Sequence, residues 1–244
     1  MPFSAANVIQ AKTGSAENID TATVTLDNPT REGSTVTVEL SAAGINLFES
    51  GTVPANWEYD GASASFMLQA YRRPGIPAGE SSWDFSYIVV THWLWRVTEW
   101  DVGLDPISPL SGSGANVATG TGVTTFSSGT STATDRVPNV ALATHLWSYV
   151  SGPSAQSFDW SGHTNGFTER DELRVSYASS GRENDACWSW LFNDTGGSYE
   201  TTATVNTTPR HANDTYHSLI VVYAATQPVI VPAPTVITSA GGGP

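Results

Sequence analysis

The chain has 244 residues, 14% of them charged, 39% hydrophobic and 10% aromatic, with a formal net charge of −13. That is enough length for one sizeable core, too much apolar and aromatic content for a disordered chain, and with a single lysine, Lys12, too little charge patterning for a coiled coil. The acidity opposes binding to phosphate backbones, no run reaches the roughly 18 apolar residues of a membrane helix, and one cysteine, Cys187, permits neither an internal disulfide nor a multi-cysteine zinc site.

From the N-terminus onward the hydrophobic period is two. Ala22, Val24 and Leu26 alternate with threonines, and Val36, Val38 and Leu40 with Thr35, Thr37 and Glu39. Phe66, Leu68 and Ala70 follow, then Trp83, Phe85 and Tyr87. Leu173, Val175 and Tyr177 form a further run, then Ala186, Trp188, Trp190 and Phe192, then Tyr199, Thr201, Ala203 and Val205, and residues 216–225 close the series. Alternation of this kind marks strands with one buried face, and threonine suits the other, half-solvated face. Asn28-Pro29, Asp60-Gly61, Arg73-Pro74-Gly75 and Thr195-Gly196-Gly197 read as turns between them. About ten to twelve strands joined by polar loops predict an all-β antiparallel sandwich, a jelly roll or a barrel.

Residues 92–101 form the densest segment. Trp93, Trp95, Val97, Glu99 and Asp101 share one face, and His92, Leu94, Arg96, Thr98 and Trp100 the other, which predicts an inner strand covered on both sides. Residues 108–134 read as a Ser/Thr/Gly-rich surface excursion with a weak strand at 123–126. Residues 135–150 fit either a short helix or a strand, and the alternation of Leu142, Thr144 and Leu146 with Ala143, His145 and Trp147 favours the strand. No internal repeat is evident. The expected organisation is one β-domain over residues 1–226 and a proline-rich extended arm over residues 227–244. In that arm Pro228, Pro232 and Pro234 favour extended chain, while Val229, Ile230, Val231, Val236 and Ile237 supply apolar side chains without an evident strand partner. An arm of this composition is expected to lie on its own domain or on a neighbouring chain.

Catalytic signatures are sparse. Glu99 and Asp101, same-face neighbours about 6.5–7 Å apart along a strand, have the form of the paired carboxylates of glycosidases and resemble part of the E-x-D-x-x-E strand motif of concanavalin-like retaining glucanases. The third acid would fall at Leu104, so the general acid/base is missing. The competing role for Glu99 is to pair with an arginine or to accept an indole or backbone N–H. The five histidines show no metal-ligand spacing, although His211 and His217 could meet across a turn, and Cys187 between Ala186 and Trp188 is expected to be an inert thiol. Neither a cofactor nor a metal is implied. Four aromatic residues are candidates for ligand or partner contact: Trp57 and Tyr59 in a loop over 56–61, and Trp160 and Phe167 in a loop over 159–170. Such rings stack on sugars or anchor protein interfaces. Their alternative role is to pin long loops onto the sandwich.

The succession VIQAKTGSAE, GSTVTVELSAAG, GIPAGESSWDF, HWLWRVTEWDVG, HTNGFTERDEL and LIVVYAA resembles a group of β-rich virion proteins of actinobacterial tailed phages, often labelled minor tail proteins, over most of residues 7–226. The pieces running from Ala78 to Trp83 and from Trp95 to Glu99 carry most of the likeness. Nine arginines against one lysine agree with a GC-rich coding sequence. The resemblance implies an antiparallel β-sandwich of jelly-roll type and a structural or host-contact role in the virion, with no catalytic residues. The expected partners are other tail or capsid subunits, in many copies or as a homo-oligomer, and a host surface glycan; nucleic acid and membrane insertion are not expected. A minor tail or tail-tip protein is the first expectation, with a capsid decoration protein or a carbohydrate-binding module as alternatives. The opening MPFSAANVIQ lacks a basic region followed by an apolar stretch, so synthesis in the host cytoplasm without a signal peptide is expected.

Overall fold

A computed structural model describes residues 3–41, 51–63, 67–107, 118–119, 125–150, 160–177, 182–205 and 215–226. The arm over 227–244, most of the 108–134 excursion, Phe66 and His211 lie outside the described residues. The described chain is all-β and antiparallel, with a single 3-10 turn at Ala5–Asn7. Its first half contributes β1 (Val8–Thr25), β2 (Ser34–Ser41), β3 (Gly51–Thr52), β4 (Glu58–Ala62), β5 (Leu68–Ile76) and β6 (Ser82–Trp100). These form one sheet in the order β1-β6-β2-β5-β4, with β3 also pairing β6. The second half contributes β7 (Gly103–Pro106), β8 (Ala118–Thr119), β9 (Thr125–Ser127), β10 (Asn139–Val150), β11 (Trp160–Ser161), β12 (Thr168–Tyr177), β13 (Arg182–Asn193), β14 (Thr202–Val205) and β15 (Thr215–Thr226). Here the sheet order is β12-β13-β10-β15-β7, and β11-β14-β9 make a small third sheet. The segment open between helix and strand is therefore strand β10. The runs at 82–87 and 92–101 belong to a single strand, β6, which is the inner strand expected.

Two expectations are corrected. Jelly-roll connectivity alternates successive strands between two sheets, whereas here each large sheet is built from one half of the chain. The second correction concerns repeats. Read from β7 to β12, the second sheet has the order of the first, with β7, β10, β12, β13 and β15 in the places of β1, β2, β4, β5 and β6. The correspondence extends to detail. Thr37 lies between Arg72 and Thr98, and Leu142 lies between Trp190 and Val221. Both β4 and β12 carry a bulge, between Tyr59 and Gly61 and between Glu169 and Asp171. Before each strand is the same turn, closed by Trp57 N–H donating to Pro54 O and by Phe167 N–H donating to Thr164 O. β8 pairs with the start of β15 and β7 with its end, as the early part of β1 pairs with the later part of β6. β9-β14-β11 reproduce the far end of the β1–β6 hairpin with β3. The fold is thus two copies of one six-element unit, the second interrupted by insertions.

Packing follows from this. Leu68, Ala70, Leu94 and Trp100 of the first sheet meet Leu142, Trp188, Trp190, Leu219 and Tyr223 of the second, so equivalent faces pack together. The outer face of the first sheet is covered by its own hairpin. β1 bends at register shifts between Ala16 and Thr21, so that Ala22, Val24, Trp83 and Phe85 fold back onto Val36, Val38, Tyr71 and Trp95. Residues at opposite ends of β1 consequently touch: Gln10 Nε2 donates to Asn28 O at 2.9 Å, and Lys12 pairs with Asp27 at 2.7 Å. The third sheet covers the second in the same way, through Phe126, Trp160 and Ala203 on Trp147 and Tyr216. Four stacked β layers result, and both large sheets are covered on both faces, which explains why both faces of β6 are bulky.

The inner faces of the two units differ in chemistry. The first presents Thr35, Thr37, Glu39, Ser41, Arg72, Arg96 and Thr98, all buried. Charges here are compensated across the sheets. Arg96 Nε meets Asp171 at 2.7 Å, Arg72 pairs with Glu58 at 2.5 Å and with Asp60 at 3.2 Å, and Tyr223 O–H donates to Asp60 at 2.8 Å. Trp190 lies between the guanidinium groups of Arg96 and Arg170, 4.9 and 4.8 Å from the ring centre, a cation–π arrangement strengthened by desolvation.

Candidate functional site

A groove of about 680 Å³ opens at one end of the sandwich, where the two units join. Its rim is made of strand ends. The β1–β2 turn supplies Arg31 to Thr35, with Gly33 at φ 79°. The β5 bulge supplies Pro74 and Gly75, the latter at φ 59°. The residues joining the units supply Asp101, Gly103, Leu104 and Asp105, and β15 supplies its last residue, Thr226. Gly103 pairs with Thr226, and a Cβ there would lie 2.0 Å from Thr226 Oγ1, so only glycine allows this wall to close as it does. Pro74 sits in a strand because its place in β5 is a bulge beyond the end of β4, where no ladder donor is required.

The charges around the groove are largely committed to the protein itself. Asp101 accepts from Asn7 Nδ2 at 2.9 Å, Glu32 accepts from Ala78 N–H at 2.9 Å, and Asp105 is bridged to Arg136 at 2.5 Å. What the groove offers a ligand is therefore mainly Ile9, Pro74 and backbone, with the exposed Arg31 beside them. The described lining contains no aromatic ring on which a sugar could stack.

Glu99 lies just behind this rim and is fully buried. One carboxylate oxygen accepts from Arg31 N–H at 2.7 Å and from Ser34 O–H at 2.8 Å, and the other from Gln10 Nε2 at 2.6 Å. A carboxylate saturated by three donors from β1, the turn and β2 holds the rim in shape and leaves no face for a substrate. Asp101 is exposed and bonded to Asn7. The pair thus takes the second of the roles weighed for Glu99, acceptance of a backbone N–H.

Of the four aromatic candidates, Trp57 and Phe167 close the two equivalent turns, Tyr59 lies in β4 and Trp160 in β11. Trp57 is half-buried and packs edge-on against Trp83 and Phe85, with centroids 5.5 and 5.4 Å away. Tyr59, also half-buried, leans on Tyr71 at 5.6 Å. Trp160 and Phe167 are buried, and Trp160 donates its indole N–H to Asp185 at 2.9 Å. In these positions the rings fasten loops to sheets.

Beneath the third sheet the fold gathers groups that sequence reading left scattered. Cys187 Sγ is 3.6 Å from His163 Nε2, which in turn is 3.3 Å from Glu169. His145 Nδ1 is hydrogen-bonded to Tyr216 O–H. The order Cys–His–Glu is that of an activated thiol, but its electrostatics are the reverse. Burial, reinforced by the charges of Glu169 and Asp185, pushes the Cys187 thiol well above its ordinary value. Burial also holds His163 below its ordinary value despite Glu169. Thiolate is what a nucleophile needs, so the cluster is a sealed core. Among the described residues no three of these groups are arranged to hold a metal ion.

The groove itself was invisible to sequence reading apart from Arg73-Pro74-Gly75, because its rim converges from five separated segments. Compared with known proteins, the chain matches no family model, no curated protein and no solved structure.

Proposed function

We infer that the chain is a non-enzymatic structural component of a bacteriophage particle, a minor tail or tail-tip protein fastened to neighbouring subunits by its terminal arm. The observation that carries this reading is where the reactive groups go. Glu99, Asp60, Glu39, His145, His163 and Cys187 are drawn into the interior, where Glu99 holds the rim and Asp60 joins the two large sheets through Tyr223. A four-layered aromatic slab suits a part that bears load and is displayed. The net charge of −13 keeps closely packed copies soluble. The resemblance in the segments from Ala78 to Trp83 and from Trp95 to Glu99 points in the same direction.

The test is truncation after Thr226 in a phage that carries the gene. The shortened protein is expected to remain folded and soluble but to be lost from purified particles, and its incorporation at full occupancy would refute the anchoring role. Averaged images of the intact particle then distinguish a tail from a capsid position by the symmetry of attachment.

A further inference from the structure

We propose that the groove between the two units is the seat for the C-terminal arm of a second copy, so that copies are joined head to tail by arm exchange. This rests on the reading of residues 227–244 as an assembly arm and specifies where the arm binds.

Three observations select this occupant. The described chain ends on Thr226, a wall of the groove itself, so every copy carries an arm rooted beside a seat. The arm contains no Asp, Glu, Lys or Arg. This matches a groove whose rim carboxylates Glu32, Asp101 and Asp105 already have partners, and whose remaining surface is Ile9, Pro74, backbone and Arg31, whose guanidinium can donate to the arm's carbonyls. Proline lacks an N–H, so Pro228, Pro232 and Pro234 leave fewer donors to be satisfied on burial.

The choice between the chain's own groove and a neighbour's turns on stiffness. Gln227 precedes a proline, which biases it to extended backbone, and Pro228 has its own φ fixed. The sequence thus favours an arm that continues the line of β15, and in polyproline geometry residues 228–237 would reach roughly 30 Å at about 3.1 Å per residue. That reach would bring Val229 to Ile237 to another molecule. A head-to-tail contact of this kind builds rings or filaments according to the rotation between copies.

The experiment uses the protein truncated after Thr226, a labelled peptide of residues 227–244, and the full chain. The truncated protein is expected to be monomeric and to bind the peptide saturably. Pro74→Glu, at an exposed rim position, is expected to weaken that binding at least tenfold with an unchanged circular-dichroism spectrum. Ile9→Glu serves as a second groove variant. The full chain is expected to associate with rising concentration in sedimentation, and excess peptide to return it to monomer. Absence of peptide binding, or binding indifferent to both variants, would overturn the seat. A full chain that stays monomeric at several hundred micromolar would overturn the exchange, and refusal of added peptide by that monomer would place the arm in its own groove. None of these outcomes depends on particles. A failed seat is therefore distinguishable from a failed virion role, which the truncation in phage reads separately.

Discussion

Glu39 is fully buried between the sheets, and burial, only partly offset by Arg96 and Thr37, raises its carboxyl from 4.5 to about 7. Asp60 is raised by burial from 3.8 to about 6. Over these ranges the folded protein keeps protons that the unfolded chain releases, so both groups make stability fall as pH rises. His145 and His217 act in the opposite sense. Burial lowers them from 6.5 to about 3 and about 4, so they make stability fall as pH drops below 6.5. The two pairs oppose one another between about pH 4.5 and 6, and His163, also lowered by burial, adds to the histidine side, so the wild-type protein is expected to gain stability only modestly as pH rises there. Glu39→Gln removes one of the two carboxyls from that balance. Urea unfolding from pH 4.5 to 7 should show the variant gaining on the wild type by on the order of 2 kcal/mol as pH rises, and parallel curves would show that Glu39 does not titrate in this window.

At the scale of the element, the β1–β6 hairpin depends on a small residue facing a large one. Gly14 pairs with Trp95, and a Cβ on Gly14 would come within 2.5 Å of the indole ring. The ring lies over the glycine and joins the core beneath the folded-back half of the hairpin. Gly14→Val is expected to dislodge Trp95 and destabilise the protein by about 1–3 kcal/mol, measured as a lowered denaturation midpoint with weakened near-ultraviolet signal; an unchanged midpoint would mean that the ring is not held there. Strands of this kind were legible in the sequence because half-buried alternation is a local signal. Bends were not. Asp60-Gly61 and Arg73-Pro74-Gly75 read as turns, yet both are bulges inside strands β4 and β5. Glycine at positive φ and proline without an N–H serve a reversal and a bulge equally well, and the distinction lies in a partner strand remote in sequence. The groove was hidden for the same reason. The core role of Trp160 depends on the third sheet and that of Phe167 on the outer face of the second, neither of which a local pattern announces.

At the scale of the molecule, the repeat escaped sequence reading because equivalent positions keep size and burial while changing chemistry. Arg72 occupies the place of Trp190, and the bulge residue Asp60 the place of Arg170. Aromatic character persists at some sites: Trp57 answers to Phe167 and Trp100 to Tyr223. If each unit closes its own sheet, the halves are separable at Val102. Residues 1–102 expressed alone are expected to stay soluble with a β-type spectrum. Residues 103–226, which present Leu142, Trp188, Leu219 and Val221 on their inner face, are expected to aggregate alone and to be rescued by refolding with the first fragment. Precipitation of the first fragment and solubility of the second, read by light scattering, would reverse the assignment.

The threonines and paired charges on the first unit's inner face have a further meaning for a chain made from one end. Translation releases the N-terminal unit first, and that unit must wait in water with its mating surface uncovered while the remainder is synthesised. A wettable surface tolerates the delay, and the greasier counterpart emerges only once there is something ready to receive it.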